Sequence, residues 1–351
     1  MKETDRARSG EELDEVRLAA FLRKHHLFKS DQIEIVQFAA GSSNLTYLIR
    51  DSSDEYVLRR PPIGNIVKTA HDMKREYEVL SKLSAVYAAA PRPLLFCDNA
   101  AVIGSEFYLM ERRSGLVIRG RAPKALVDSA ELQIAVCRGF IQSLVDLHKL
   151  DYKSAGLGEL GKPVGYCRRQ VEGWINRYIA AKTDEWPEVE SVAVWLRCNI
   201  PEESGAALIH NDYKFDNVML DPHDLTKTCA VLDWEMVTIG DPLMDLGTTL
   251  GYWMAKGAGD AMLNMPFNPR ILMENISRQD LTDMYAEQSG NDISNILFYY
   301  VFGTFKIAVI AQQIFARFKK GLTTDSRFAG FDSFVAALGR FGAEALDKGS
   351  I

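Results

Sequence analysis

Ala207-Leu208-Ile209-His210-Asn211-Asp212-Tyr213-Lys214-Phe215-Asp216-Asn217-Val218-Met219-Leu220, followed by Ala230-Val231-Leu232-Asp233-Trp234-Glu235, sets oxygen-bearing side chains at Asp212, Asn217 and Asp233. Each lies beside an apolar run of strand length. That layout suits a site that holds Mg2+ and passes a phosphoryl group to a hydroxyl. Phosphoryl transfer runs through a loose transition state, so a protein mainly positions the reactants, supplies metal charge and accepts the hydroxyl proton. Mg2+ keeps most of its waters and takes one or two carboxylate or amide oxygens from protein. Asn217 and Asp233 suit the metal, and Asp212 suits the general base. Asp and Asn are also ordinary turn formers. The second strand with its own Asp makes chance a poor account of the whole pattern. His210 reads as a hydrogen-bonding brace of the loop.

His-x-Asp-(x)4-Asn, a strand ending in Asp233-Trp234-Glu235, and Gly240-Asp241-Pro242 together resemble the aminoglycoside phosphotransferase and choline kinase family. These are small-molecule kinases on the protein-kinase-like fold. Asp-Trp-Glu stands where protein kinases have Asp-Phe-Gly, a departure that points away from a protein substrate. The resemblance implies ATP and Mg2+ as cofactors, and an α+β fold with a small antiparallel sheet lobe and a larger helical lobe.

Composition agrees with that size of fold. A chain of 351 residues, 47% hydrophobic, can bury one large core or two lobes. Its net charge of −6 argues against a nucleic-acid partner held through phosphates. Cys97, Cys137, Cys167, Cys198 and Cys229 are scattered and read as reduced, buried thiols of a cytoplasmic protein without a zinc site. The charged Met1-Lys2-Glu3-Thr4-Asp5-Arg6 shows no signal peptide. The most apolar segment, 297–318, is interrupted by Lys306 and Gln312-Gln313, and reads as a core helix rather than a membrane span.

Along the chain, a helical pattern at 11–26 precedes strand-like runs at 33–38, 45–50, 56–59, 94–97 and 107–110, with a helix at 70–83 between them. After Glu111 the pattern turns helical, clearest at 130–150, 165–183, 241–255 and 291–319. A hinge at Met110-Glu111-Arg112 divides a nucleotide-binding lobe, 1–111, from a catalytic and substrate lobe, 112–351.

The first lobe carries the other half of the expected site. Gly41-Ser42-Ser43-Asn44 joins two strands, and alone would read as a turn. The resemblance implies that it covers phosphates through backbone N–H groups and hydroxyls. Arg59 ends a strand where relatives carry the cation of the α/β-phosphates, often Lys. Glu76 matches the carboxylate that holds this cation better than Glu78 does, and Met110 with Glu111 would meet adenine. Asp241 reads as a helix N-cap.

The acceptor is less legible. Tyr166, Trp174, Tyr178, Tyr252 and Trp253 at helical spacing read as core. Glu185, Glu188 and Glu190 form the densest acidic group and read as a solvated face, not as the acidic pocket that a cationic acceptor needs. Val57-Leu58-Arg59-Arg60-Pro61-Pro62, Arg75-Glu76-Tyr77 and Arg169-Gln170 with Trp174 are similar to the kinase domain fused to acyl-CoA dehydrogenases in animals. That similarity implies a small-molecule hydroxyl acceptor such as a hydroxyacyl-CoA, while the net charge and the interrupted apolar segment imply no nucleic-acid or membrane partner. Two alternatives stand beside it. One is an aminoglycoside-type antibiotic kinase, and the other is a pseudokinase that binds nucleotide as a module.

Overall fold

The structure, a computed structural model, describes residues 4–30, 32–38, 44–63, 72–119, 122–323 and 326–351. The chain divides into two compact units, Met1–Ser114 with Cys229–Glu235, and Gly115–Thr228 with Met236–Ile351. The division read from sequence is contiguous at 111/112. In the structure 112–114 join the first unit, and a short segment around Asp233 returns to it. That return is held by the Val231 N–H donating to the Ala89 carbonyl and by Trp234 against Tyr87.

In the first unit the elements are β1 (Thr4–Asp5), α1 (Glu15–Lys24), β2 (Glu34–Phe38), β3 (Leu45–Arg50), β4 (Glu55–Arg60), α2 (Met73–Leu83), β5 (Pro93–Cys97) and β6 (Phe107–Glu111). The six strands pair antiparallel in the order β1-β2-β3-β4-β6-β5. The five strands expected are present, and β1 is a two-residue addition too short to leave a pattern. Helix α1 is shorter than expected because Asp14 caps it, accepting the Arg17 N–H. Alternation sorts the sheet's side chains between its faces. Leu58, Leu109, Tyr47 and Ile49 pack with Leu18 and Leu22 of α1. Arg59 and Tyr108, paired in register, are the neighbours of Leu58 and Leu109 and so face the other way, toward Glu76 and Tyr77 of α2.

The second unit is mostly helical. Its elements are α3 (Lys124–Asp128), α4 (Ala130–His148), α5 (Tyr166–Ala181), α6 (Pro187–Cys198), β7 (Ala207–Ile209), β8 (Val218–Asp221), β9 (Asp224–Val231, whose end belongs to the first unit), β10 (Thr238–Gly240), α7 (Pro242–Tyr252), α8 (Asp260–Leu263), α9 (Arg270–Asn275), α10 (Arg278–Ser289), α11 (Ile296–Lys319) and α12 (Phe331–Lys348). The apolar 297–318 segment falls within α11; by length and composition this helix passes for a membrane span, yet 78% of its most apolar window is buried in the protein.

Every residue of α7 is buried. It crosses α11 so closely that a Cβ on Gly247 would overlap the Tyr299 carbonyl, and one on Gly303 would overlap the Gly247 carbonyl. This backbone-on-backbone contact sets the spacing of two helices that reach the loop after β7.

The five cysteines are free, but the expectation that all are buried is corrected. Cys198 is exposed at the end of α6, and Cys229 is half-buried near the Ser114 carbonyl.

Candidate active site

In the second unit the loop between β7 and β8 carries Asp212 and Asn217. Strand β7 is paired antiparallel with β10, which fixes the loop's start. Asp245 of α7 fixes its turn: Oδ2 accepts the His210 N–H at 2.6 Å and Oδ1 accepts the Asn211 N–H at 2.7 Å. Burial alone would raise the Asp245 carboxyl, but the hydrogen bond and charge of His148, with His210, hold it below its ordinary value. Asn211 is left-handed at φ 69°, a strained conformation for a side chain other than glycine.

Asp212 then meets donors on both oxygens. The Tyr252 hydroxyl donates to Oδ1 at 2.8 Å, and Asn217 Nδ2 donates to Oδ2 at 2.9 Å. The Lys214 ammonium also sits on Oδ2. With its N–H groups turned to Asp212, Asn217 keeps its amide oxygen as the atom available to a hard cation. Behind the loop, burial pushes the Lys306 ammonium down to about 8 despite the opposing pull of Asp245 and Asp212.

In the first unit Asp233 is also left-handed, at φ 68°. Arg59 Nη2 donates to its Oδ1 at 2.9 Å, and Nη1 lies 3.2 Å from Glu76 Oε1. Arg59 and Glu76 are both buried, whereas Glu78 is an exposed partner of Lys74, so the structure separates the two glutamates. Burial alone would lower the Arg59 guanidinium, but Glu76, Tyr108 and Asp233 hold it charged. Glu76 is thus held by the Arg59 guanidinium and by a hydrogen bond from the Tyr108 hydroxyl.

Other expected residues fall as follows. Asn44 Nδ2 donates to Glu235 Oε2 at 2.9 Å, and Gly41, Ser42 and Ser43 lie outside the described residues. Met110 and Glu111 end β6. The Glu111 N–H donates to the Arg92 carbonyl, and its carboxylate binds Arg113 and the Arg92 N–H. Asp241 caps α7 through the Leu243 N–H, and His210 Nδ1 accepts the Asp212 N–H at 3.3 Å.

A model of the phosphotransferase enzyme family, denoted APH, matches residues 34–265. The chain belongs to this family. As a member of the phosphotransferase family it is an enzyme, and the resemblance read from Asp212, Asn217 and Asp233 is borne out. Rat acyl-CoA dehydrogenase family member 11 is 34% identical over 91% of the chain, but the match spans 41% of that protein. A Ralstonia eutropha structure named for the aminoglycoside phosphotransferases is 28% identical, with a TM-score of 0.79 over 96% of this chain and 99% of its own. A thermostable mutant of an aminoglycoside phosphotransferase in ternary complex with ADP and hygromycin B has a TM-score of 0.60 at 14% identity, over 93% of this chain and 98% of its own. The α+β, kinase-like fold expected from sequence is thus the fold of this phosphotransferase.

Each unit of this family member, taken by itself, offers an oxygen donor that suits a hard divalent ion bound chiefly through phosphates and water. Asn217 offers an amide oxygen and Asp233 a carboxylate. Among the described residues no group of three or more His, Cys, Asp or Glu could hold a metal by itself. A bound Mg2+ would supply charge against the phosphate oxygens.

Sequence reasoning missed four residues. Lys214 stands two positions after Asp212, inside the motif already quoted. Tyr252 is buried as a core residue should be, and its hydroxyl in addition reaches Asp212. Asp245 and Lys306 come from helices far along the chain. Only the isolation of Lys306 in an apolar helix could have signalled it.

Proposed function

We propose that this phosphotransferase moves the γ-phosphoryl group of ATP to a hydroxyl of a small, hydroxylated acyl compound such as a hydroxyacyl-CoA. Asp212 acts as the base. Asn217 is proposed as a metal ligand of the second unit and Asp233 as a metal ligand of the first, with Arg59, held by Glu76, on phosphate. Asn44 and the Gly41-Ser42-Ser43 loop cover the phosphates, and Met110 and Glu111 meet the base of the nucleotide. The observation that carries this reading is Asp212 Oδ1 accepting a hydroxyl, that of Tyr252, at 2.8 Å. A carboxylate so presented can accept an acceptor alcohol's proton. Support for ATP comes from the family and from the ADP in the ternary complex of the structural neighbour.

The acyl acceptor is supported by the relatives named as acyl-CoA dehydrogenase family members, of whose length the chain spans less than half. Charge supports it too. Lys214 binds the base. A cation beside the base disfavours a polycationic aminoglycoside, whose binding calls for acidic partners. A cytoplasmic setting belongs to the same proposal.

The test is ATP consumption by the purified chain with hydroxyacyl-CoAs, aminoglycosides and choline, repeated with Asp212→Asn. Phosphorylation of a hydroxyacyl-CoA, lost by roughly 10²–10⁴-fold in the variant, is expected. Turnover with an aminoglycoside alone would move the assignment to the antibiotic kinases. Binding of Mg-ATP without turnover on any acceptor would make the chain a binding module.

A further inference from the structure

Lys306 is the single charge in the buried interior of α11, and it is 2% exposed. A buried ammonium is unfavourable unless a partner offsets its lost hydration. No carboxylate lies within ion-pair distance of it among the described residues. Its Nζ donates to the Asn211 carbonyl at 2.6 Å, and it lies 3.4 Å from Asn211 Oδ1 and 5.8 Å from the centre of the Trp174 ring. A charge kept in such a place at a cost to stability points to a task other than stability.

The Asn211 carbonyl and the Asp212 N–H belong to one planar peptide unit. Lys306 holds that plane at its oxygen, and His210 Nδ1 accepts from its N–H at 3.3 Å. The remaining polar atoms of Asn211 are fixed as well. Its N–H reaches Asp245 at 2.7 Å, and its side-chain amide donates to the Met236 carbonyl at 3.1 Å. Without the ammonium, the plane keeps its N–H contact but loses the restraint on its oxygen.

We propose that Lys306 is a positioning residue for phosphoryl transfer, which fixes the Asn211–Asp212 peptide plane and thereby aims the Asp212 carboxylate. The inference rests on Asp212 being the base.

The experiment compares Lys306→Met and Lys306→Gln with the unaltered full-length chain, on whichever acceptor supports turnover. In Lys306→Met kcat falls by on the order of 10–100-fold, as expected of a base displaced by a fraction of an ångström, while the KM for Mg-ATP and for acceptor stay within about twofold. Its melting temperature is unchanged or higher. Lys306→Gln, which can still donate to the carbonyl, recovers part of the lost kcat. A Lys306→Met variant with full kcat would overturn the proposal, as would a fall in melting temperature that accounts for the lost activity. Hydrogen exchange at the Asp212 amide gives a readout that needs no acceptor. Faster exchange in Lys306→Met supports the hold on the peptide plane, and unchanged exchange refutes it. If no acceptor is turned over, the functional reading fails while exchange still decides the role of Lys306.

Discussion

Asp212 and Asp233 each follow a strand whose last residues are buried and each sit in or beside a left-handed turn, yet their surroundings differ in kind. Around Asp212 nearly every polar group has a neutral or charged partner: Asp245 on the preceding N–H groups, Lys306 on the carbonyl, and Tyr252, Asn217 and Lys214 on the carboxylate. Around Asp233 the dominant feature is a buried guanidinium set against two carboxylates. The loop at Asp212 is held through many separate hydrogen bonds, whereas the cluster at Asp233 is held through a few strong charges. On the roles proposed above, positional control is strongest where a proton is taken and weakest where phosphates supply their own charge.

The comparison breaks most sharply at Asp245. Asp245→Ala leaves two loop N–H groups and His148 without their buried acceptor, and should lower stability by about 3–5 kcal/mol in chemical denaturation. Because the folded carboxyl is held low, its contribution is present above the ordinary carboxylate range and is lost as pH falls through the lowered value. The acid side of the stability profile should accordingly flatten in Asp245→Asn, and an unchanged profile would show that the carboxylate does not support the loop.

The double change Arg59→Met with Glu76→Leu should behave in the opposite way. Replacing a buried ion pair by apolar side chains leaves stability level or higher. The gain that Mg-ATP gives the unaltered chain, about 2.7 kcal/mol at a hundredfold excess over Kd, should vanish. Thermal shift with and without Mg-ATP reads both. Retained stabilisation by nucleotide would mean that the cluster is structural and that the contrast between the two sites is false. The smallest effect is expected at Asn44→Ala, about 1 kcal/mol for the bond to Glu235, with Mg-ATP affinity falling by more than stability does.

How much of this was legible follows from where each residue lies. Asp212, Asn217 and Asp233 could be read because a loop motif and its flanking apolar strands are local in the chain. Glu76 could be preferred over Glu78 only through family resemblance, since both lie on one short helix and burial alone separates them. Asp245 and Lys306 reach Asn211 across 34 and 95 residues, and no local pattern reports such a contact. Helix α12 is placed by contacts of the same long-range kind, since Gly339 and Gly342 let it approach Val189 and Val192 of α6.

The crossing of α7 and α11 gives the chain an unusual kind of vulnerability. Asp245 leaves α7 two residues before Gly247, and Lys306 leaves α11 three residues after Gly303. The separation of those helices therefore sets the gauge between the two clamps on the Asn211 peptide. Positions 247 and 303 carry no functional group at all, but a single methyl group at either one would widen that gauge. A methyl group at either place would reach the loop without ever meeting a substrate.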